Sequence, residues 1–238
     1  MRPNSLDILY EDNEIIVCIK PSGTATQSRS IKALDMESLL KNHIARNRAL
    51  TALPQEPYLA VIHRLDQPVQ GIMVFAKTPA AAKSLNKELK EGGFGKHYRA
   101  LVSSPPRRPS GTLENYILEN KQNNTSSICQ KGTPKARYAS LSYKTVLEGQ
   151  QYFKVSQDIL SPQGAHPSSA PTELDIRLHT GRHHQIRIQL AGIGCPIIGD
   201  TKYNPAFFQS SGRQELKLCS YCLEFTHPRT KKKMLFSL

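Results

Sequence analysis

His63-Arg64-Leu65-Asp66-Gln67-Pro68-Val69-Gln70-Gly71 is a polar turn set between two apolar runs, Leu59 to Ile62 going in and Ile72 to Ala76 coming out. Short runs rich in aliphatic and β-branched residues and bounded by Pro and Gly read as strands. The turn therefore places a guanidinium and a carboxylate two residues apart on a loop held at both ends, which is where a rigid scaffold presents reactive side chains. A carboxylate acts as a nucleophile when its surroundings orient it and a nearby cation keeps it ionised. Taken alone, an Arg-x-Asp pair on a turn is equally the mark of a solvated surface ion pair. The rest of the chain has to decide.

Working outward, residues 7–20 read as a hairpin around Glu11-Asp12-Asn13-Glu14, and Leu34, Leu39, Leu40 and Ile44 recur at helical spacing, which predicts a helix over 34–46. Thr78 followed by Pro79 is an N-cap and first-position pair, and Ala82, Leu85 and Leu89 form the stripe of a helix that Gly92-Gly93 ends. A strand carrying Tyr98 comes next. The Pro- and Arg-rich stretch 103–111 and the polar stretch 121–135 read as loops, with strands near 138–147 and 151–156. Residues 157–172 read as a long surface loop. Leu174, Ile176 and Leu178 alternate as a strand, 183–192 reads as a helix, and Leu216 to Phe225 alternates as a further strand. No repeat and no composition shift marks a separate folding unit, so the chain is expected to be a single domain over 1–238.

The 238 residues carry 32 Lys plus Arg against 19 Asp plus Glu, a net charge of +13 and a pI of about 9.6. That excess favours a polyanionic partner, of which nucleic acid is the commonest. No stretch approaches the ~18 apolar residues of a membrane helix, and Met1-Arg2-Pro3-Asn4-Ser5 lacks the apolar segment of a signal peptide. The expectation is a soluble, cytoplasmic protein, with no room before a first strand near residue 7 for an N-terminal RNA-binding appendage. Five scattered cysteines (Cys18, Cys129, Cys195, Cys219, Cys222) do not form a secreted disulfide framework, and Cys219-Ser220-Tyr221-Cys222 has no second pair to complete a zinc site. No Walker loop or dinucleotide fingerprint follows a strand. Gly92-Gly93-Phe94-Gly95-Lys96 precedes a strand rather than a helix, and is better explained as a turn than as a phosphate cradle.

The turn of the first paragraph, HRLD followed by a Gly and an apolar run ending in Ala76-Lys77, resembles the signature of the RluA-type pseudouridine synthases. Three further stretches match in order. Ile8 to Asp12 leading to Lys20-Pro21-Ser22-Gly23 is similar to the family's opening strands and Lys-Pro-x-Gly turn. Lys96-His97-Tyr98-Arg99-Ala100-Leu101-Val102 is similar to the strand bearing its active-site Tyr. Leu178 to Arg187, with Gly181-Arg182-His183-His184-Gln185-Ile186-Arg187 at its centre, is similar to its third motif, and Pro196-Ile197-Ile198-Gly199-Asp200 follows as usual. The resemblance runs from about residue 7 almost to the C-terminus.

It implies an α+β fold, a mixed, largely antiparallel bent sheet with flanking helices around a central cleft. It also implies an isomerase that cleaves the bond joining uracil to ribose in ribosomal or transfer RNA, turns the base and rejoins it through a carbon. Such a reaction consumes no redox cofactor, nucleotide or metal. By resemblance Asp66 is the catalytic carboxylate, Arg187 its ion-pair partner and Tyr98 the ring that stacks on uracil and relays a proton. Arg64 would fill the gap left by an extruded uridine. His63, Arg182 and Gln185, in the same motifs, are the expected substrate contacts, and a monomer is expected. Basic loops such as Arg107-Arg108 and Lys231-Lys232-Lys233 would hold phosphates. The chain departs from many relatives at Val69-Gln70 (commonly Thr-Ser), at His183 (commonly Thr or Ser) and at Cys219 (often His), which puts specificity rather than chemistry in question. Two other readings stand beside this one. One is a metallohydrolase built on His179, His183 and His184, although no HExxH is present. The other is a noncatalytic RNA-binding protein that keeps the fold.

Overall fold

The structure is a computed structural model that describes residues 6–28, 34–49, 56–153, 171–204 and 215–238. The chain divides into two compact units: residues up to Gly95 together with Ser220–Leu238, and Lys96–Cys219. The fold is α+β, with largely antiparallel strands and few helices. No described helix is long and apolar enough to cross a membrane.

In the first unit, β1 (Asp7–Glu11) and β2 (Ile15–Lys20) form the expected hairpin, whose turn Asp12 stitches by accepting the N–H groups of Glu14 and Ile15, each at 2.8 Å. The short β3 (Ala60–Val61) enters the Asp66 turn and β4 (Gln70–Ala76) leaves it. β4 runs antiparallel to β2 from Ile15↔Ala76 to Lys20↔Gly71, so the opening Lys-Pro turn and the Asp66 turn end up at the same end of the sheet. β10 (Leu218–Thr226) follows β4 in the strand order and pairs with β11 (Lys233–Ser237). Gly71 sits at φ +142°, and a Cβ there would lie 2.3 Å from the Ser220 carbonyl oxygen, so the glycine that ends the turn is required by the strand beside it.

Helix α1 (Met36–Ala49) starts later than its apolar spacing suggests. Asp35 accepts the Ser38 N–H at 2.8 Å as an N-cap, and Leu34 lies outside the helix, 60% exposed. Helix α2 (Pro79–Lys90) is capped by Thr78, which accepts the Ala81 N–H at 3.1 Å, and Gly92, at φ +77°, follows its C-cap Glu91. Its Ala81, Ala82 and Leu85 pack with Ile15, Val17, Ile72, Val74, Phe94 and Phe225 in one core.

The second unit is a sheet of β5 (Gly95–Val102), β6 (Ser110–Asn120), β7 (Thr125–Cys129), β8 (Arg137–Thr145) and β9 (Thr172–Leu178), in spatial order β5-β9-β8-β6-β7 and antiparallel throughout. Tyr98, Ala100, Leu141, Tyr143, Leu174 and Ile176 supply its buried face. β7 lies inside the stretch expected to be a polar loop; its Thr-Ser-Ser start hides the strand, and Ser126 is buried for a reason given below. Helix α3 (Gln185–Gly192) lies against β7 and β6 and begins two residues later than expected, because His184 adopts a left-handed conformation at φ 53°. Residues 151–153 are not a strand. The remainder of that expected strand, and the long loop up to residue 170, fall outside the described residues.

Candidate active site

Asp66 lies on a turn closed by its own carbonyl, which accepts the Val69 N–H at 3.0 Å. Leu65 and Val69 on either side are buried and anchor the turn, whereas Asp66 is half-buried and Arg64 is exposed at the rim. Two straps hold it. Thr26 donates its hydroxyl to the Leu65 carbonyl at 3.0 Å and accepts the Leu65 N–H at 3.2 Å, fixing the residue before Asp66 from both sides. The Lys20-to-Gly23 turn grips the residues after it: Gly23 N–H donates to the Gln67 carbonyl at 2.9 Å, Gln67 Nε2 returns to the Gly23 carbonyl at 3.0 Å, and Ser22 Oγ donates to the Pro68 carbonyl at 2.9 Å.

Lys20 is the centre of this second strap. Its side chain is wholly buried, and Nζ donates to the carbonyls of Pro21 (3.1 Å), Thr24 (2.6 Å) and Gln67 (3.0 Å). Burial pushes its pKa down to about 8, and the Asp66 carboxylate opposes that shift by favouring the ammonium. The first unit thus supplies a buried cation that acts on Asp66, which the sequence did not assign. His63, expected as a substrate contact, meets the scaffold through one nitrogen: its Nε2 accepts the Val74 N–H at 3.3 Å, and its ring lies edge-on to Phe94 at 6.3 Å.

The second unit carries Tyr98, Arg182, Gln185 and Arg187. Tyr98 sits mid-strand on β5 opposite Ile176, only 6% exposed. Arg187, in the first turn of α3, is buried, and Asp200 grips it bidentately through Nε and Nη2, both at 2.7 Å. Asp200 is itself held by the N–H groups of Lys202 (2.9 Å) and Tyr203 (3.1 Å). The Tyr203 ring covers the guanidinium at 5.2 Å, and its hydroxyl receives the Ser126 N–H at 2.7 Å and lies 2.9 Å from His184 Nδ1. Ser126 is buried because it anchors this cluster, meeting the His183 carbonyl at 2.8 Å and His183 Nδ1 at 2.9 Å. The bidentate contact uses two of the guanidinium's five N–H donors and fixes its plane.

Gln185, expected as a substrate contact, is engaged within the fold. Its Oε1 accepts from Thr180 Oγ1 (2.7 Å) and Arg182 N–H (2.9 Å), and its Nε2 donates to the Ser140 carbonyl (3.1 Å) and Gln189 Oε1 (3.0 Å). Its side-chain oxygen is spent on the turn before α3, and its side-chain nitrogen on β8 and on α3 itself. Arg182 stays half-buried, with Nε donating to the Tyr138 carbonyl at 2.7 Å. The three histidines of the metal reading go to separate partners, His179 to Ser142, His183 to Ser126 and Asn124, and His184 to Tyr203. All five cysteines are free thiols.

The first unit thus presents Asp66 on a strapped turn with a buried lysine beside it, and the second presents an ordered Arg187 and a buried Tyr98. A family model described as "RNA pseudouridylate synthase" matches residues 14–192. The chain belongs to that family. Among similar sequences, an uncharacterized RNA pseudouridine synthase of Helicobacter pylori (strain J99) is 28% identical over 236 residues, covering 98% of this chain and 66% of that protein. The ribosomal large subunit pseudouridine synthase C of Salmonella typhimurium is 31% identical over 233 residues, covering 95% of this chain and 64% of that protein. The chain therefore spans about two thirds of the length of these relatives. A solved structure of human RNA pseudouridylate synthase domain containing 4 shares the fold, with a TM-score of 0.71 at 21% identity, over 98% of this chain and 87% of that one.

Within a pseudouridylate synthase, Lys20, Asp200 and Tyr203 are the residues that reading the motifs missed. Lys20 stood in a stretch recognised only as a turn. Asp200 closed a segment noted after the third motif without a role, and Tyr203 lies three residues beyond it. No local pattern announces a carboxylate that will meet an arginine thirteen residues away.

Proposed function

We propose that this chain is an RNA pseudouridine synthase that isomerises specific uridines of structured RNA, ribosomal RNA foremost, through Asp66. Family membership supports the reaction class, and relatives named as ribosomal large subunit synthases favour ribosomal over transfer RNA. The observation that carries the residue assignment is the double strapping of the Asp66 turn, with Lys20 buried beneath it and Thr26 clamping Leu65. Preorganisation of this kind is what a carboxylate needs in order to attack, or electrostatically stabilise, a glycosidic intermediate.

In this reading the C1′–N1 bond of uridine breaks, the uracil turns and C1′ bonds to C5. The C5 proton then leaves, with Tyr98 stacking on the ring and relaying it. Arg187, ordered by Asp200 and Tyr203, contributes positive charge to the reaction. Arg64, exposed on the turn, occupies the stack vacated by the extruded nucleotide. The enzyme acts as a monomer in the cytoplasm, and the reaction, being an isomerisation, draws on no cofactor.

The test is pseudouridine mapping of total RNA from cells with and without the gene, complemented by wild type or Asp66→Ala. A discrete uridine modification is expected to vanish with the gene and to return only with wild type, while Asp66→Ala still binds RNA. Restoration by Asp66→Ala would overturn the assignment of the carboxylate. An unchanged map alongside intact RNA binding would favour a noncatalytic RNA-binding role.

A further inference from the structure

A second buried lysine remains unused by this chemistry. Lys96 lies on β5 two residues before Tyr98, and is only 8% exposed. Side chains two apart on a strand point to one face, ~7 Å apart along it, so Lys96 and Tyr98 share a face of β5. Neither Lys96 Nζ nor the terminal nitrogens of Arg182 has a hydrogen-bond or ion-pair partner among the described residues. The charge that bears on Lys96 is the Arg182 guanidinium, and the charge that bears on Arg182 is that of Arg137. Among the described residues no carboxylate is a charge acting on either. Gly181 completes the geometry: a Cβ there would lie 3.6 Å from Lys96 Nζ and meet nothing else within 4 Å, so its bare Cα leaves open the approach to the ammonium.

Two neighbouring cations, one of them more than nine-tenths buried without an acceptor, cost the fold free energy unless an anion meets them. We propose that Lys96 and Arg182, reached across Gly181, form a binding site for a backbone phosphate of the RNA, adjacent to the nucleotide that Tyr98 stacks on. The inference rests on the RNA-modifying reading above, and it names the chemistry by which that reading's substrate is seated. The Tyr138 carbonyl fixes the Arg182 plane through Nε, so the terminal nitrogens are presented without a search through rotamers. Burial and the Arg182 charge push Lys96 down to about 8, and a phosphate would restore the ammonium.

The experiment measures binding of protein-free total ribosomal RNA as a function of salt, together with pseudouridine formation in it, for wild type, Lys96→Met and Gly181→Ala. Thermal melting serves as the folding control for each variant. Lys96→Met should melt no lower than wild type, bind about tenfold more weakly at moderate salt and show a salt slope shallower by about one. Gly181→Ala keeps every charge but narrows the approach, and should lose several-fold in affinity. Its result stands even if Lys96→Met fails to fold. Wild-type affinity and slope in both folded variants would overturn the proposal. So would inorganic phosphate raising the melting temperature of wild type but not of Lys96→Met while their RNA affinities stay equal, since the site would then take a free anion. A wild type that modifies RNA while the variants bind unchanged removes only the phosphate site. A wild type that neither binds nor modifies RNA removes the functional reading as well.

Discussion

Among the described residues two lysines are buried, one in each unit, and they are used in opposite ways. Lys20 is wholly enclosed, with three carbonyl oxygens around Nζ and the Asp66 carboxylate acting on it, whereas Lys96 is nearly as enclosed with no acceptor among the described residues and an arginine for company. The first ammonium is a structural member: it ties Pro21, Thr24 and Gln67 into one knot that holds the Asp66 turn. The second is largely withdrawn from water with no acceptor among the described residues, which a fold tolerates where a ligand provides one. Equal burial therefore says little about a charged group's role; the inventory of its partners says much more.

The largest effect expected from this contrast is at Lys20. Lys20→Met leaves three carbonyls of the turn without their donor in a site closed to water, and should cost about 2–4 kcal/mol. Chemical denaturation measures it, and a loss under ~0.5 kcal/mol would show that the knot does not hold the turn. Thr26→Val removes the clamp on Leu65 at nearly constant shape and should cost about 1–2 kcal/mol, with turnover falling because Asp66 loses its anchor on one side. Undiminished turnover in that variant would separate the strap from the chemistry. At Lys96 the sign reverses. Lys96→Met should raise stability by about 1 kcal/mol in the absence of RNA, since it replaces an uncompensated ammonium with an apolar chain of similar length. A clear destabilisation there would mean that Lys96 has a structural partner.

The smallest expected effect is on pH dependence. Both lysines titrate near 8 in the folded protein against an ordinary 10.5, so between those values the unfolded chain holds protons that the folded chain has released. Stability should accordingly rise with pH from about 8 to 10.5 and level off above that. The Lys96→Met variant should show a shallower rise than wild type in denaturation midpoints taken across that window. An identical slope would assign the whole effect to Lys20.

Much of this was legible in the sequence, for reasons that can be named residue by residue. Thr78-Pro79 announced the start of α2 because an N-cap and a proline at the first position are local requirements. The Asp66 turn was legible because apolar strands, a Pro and a Gly bracket it, and the strand of Tyr98 because it alternates. What failed to show were features decided by a neighbour. β7 is polar in sequence since Ser126 serves the Tyr203 cluster rather than an apolar core. α1 begins at Met36 because Asp35 caps it, although Leu34 fits the apolar spacing. His63 and Gln185 belong to motifs that also hold catalytic candidates, yet their hydrogen bonds go to Val74 and to the turn before α3.

By itself the sequence determined which elements form and which residue types carry the chemistry, because capping, alternation and turn residues act over a few positions. Only the tertiary structure decided which side chains are committed and which are left over. Lys20 and Lys96 look alike in sequence, each a lysine beside a motif residue. They differ because the turn after β2 folds the Pro21 and Thr24 carbonyls onto the first and β2 pairing with β4 adds that of Gln67, while the turn before α3 brings a guanidinium and a glycine to the second. Burial of a charge is settled by groups far apart along the chain, and no local pattern encodes it.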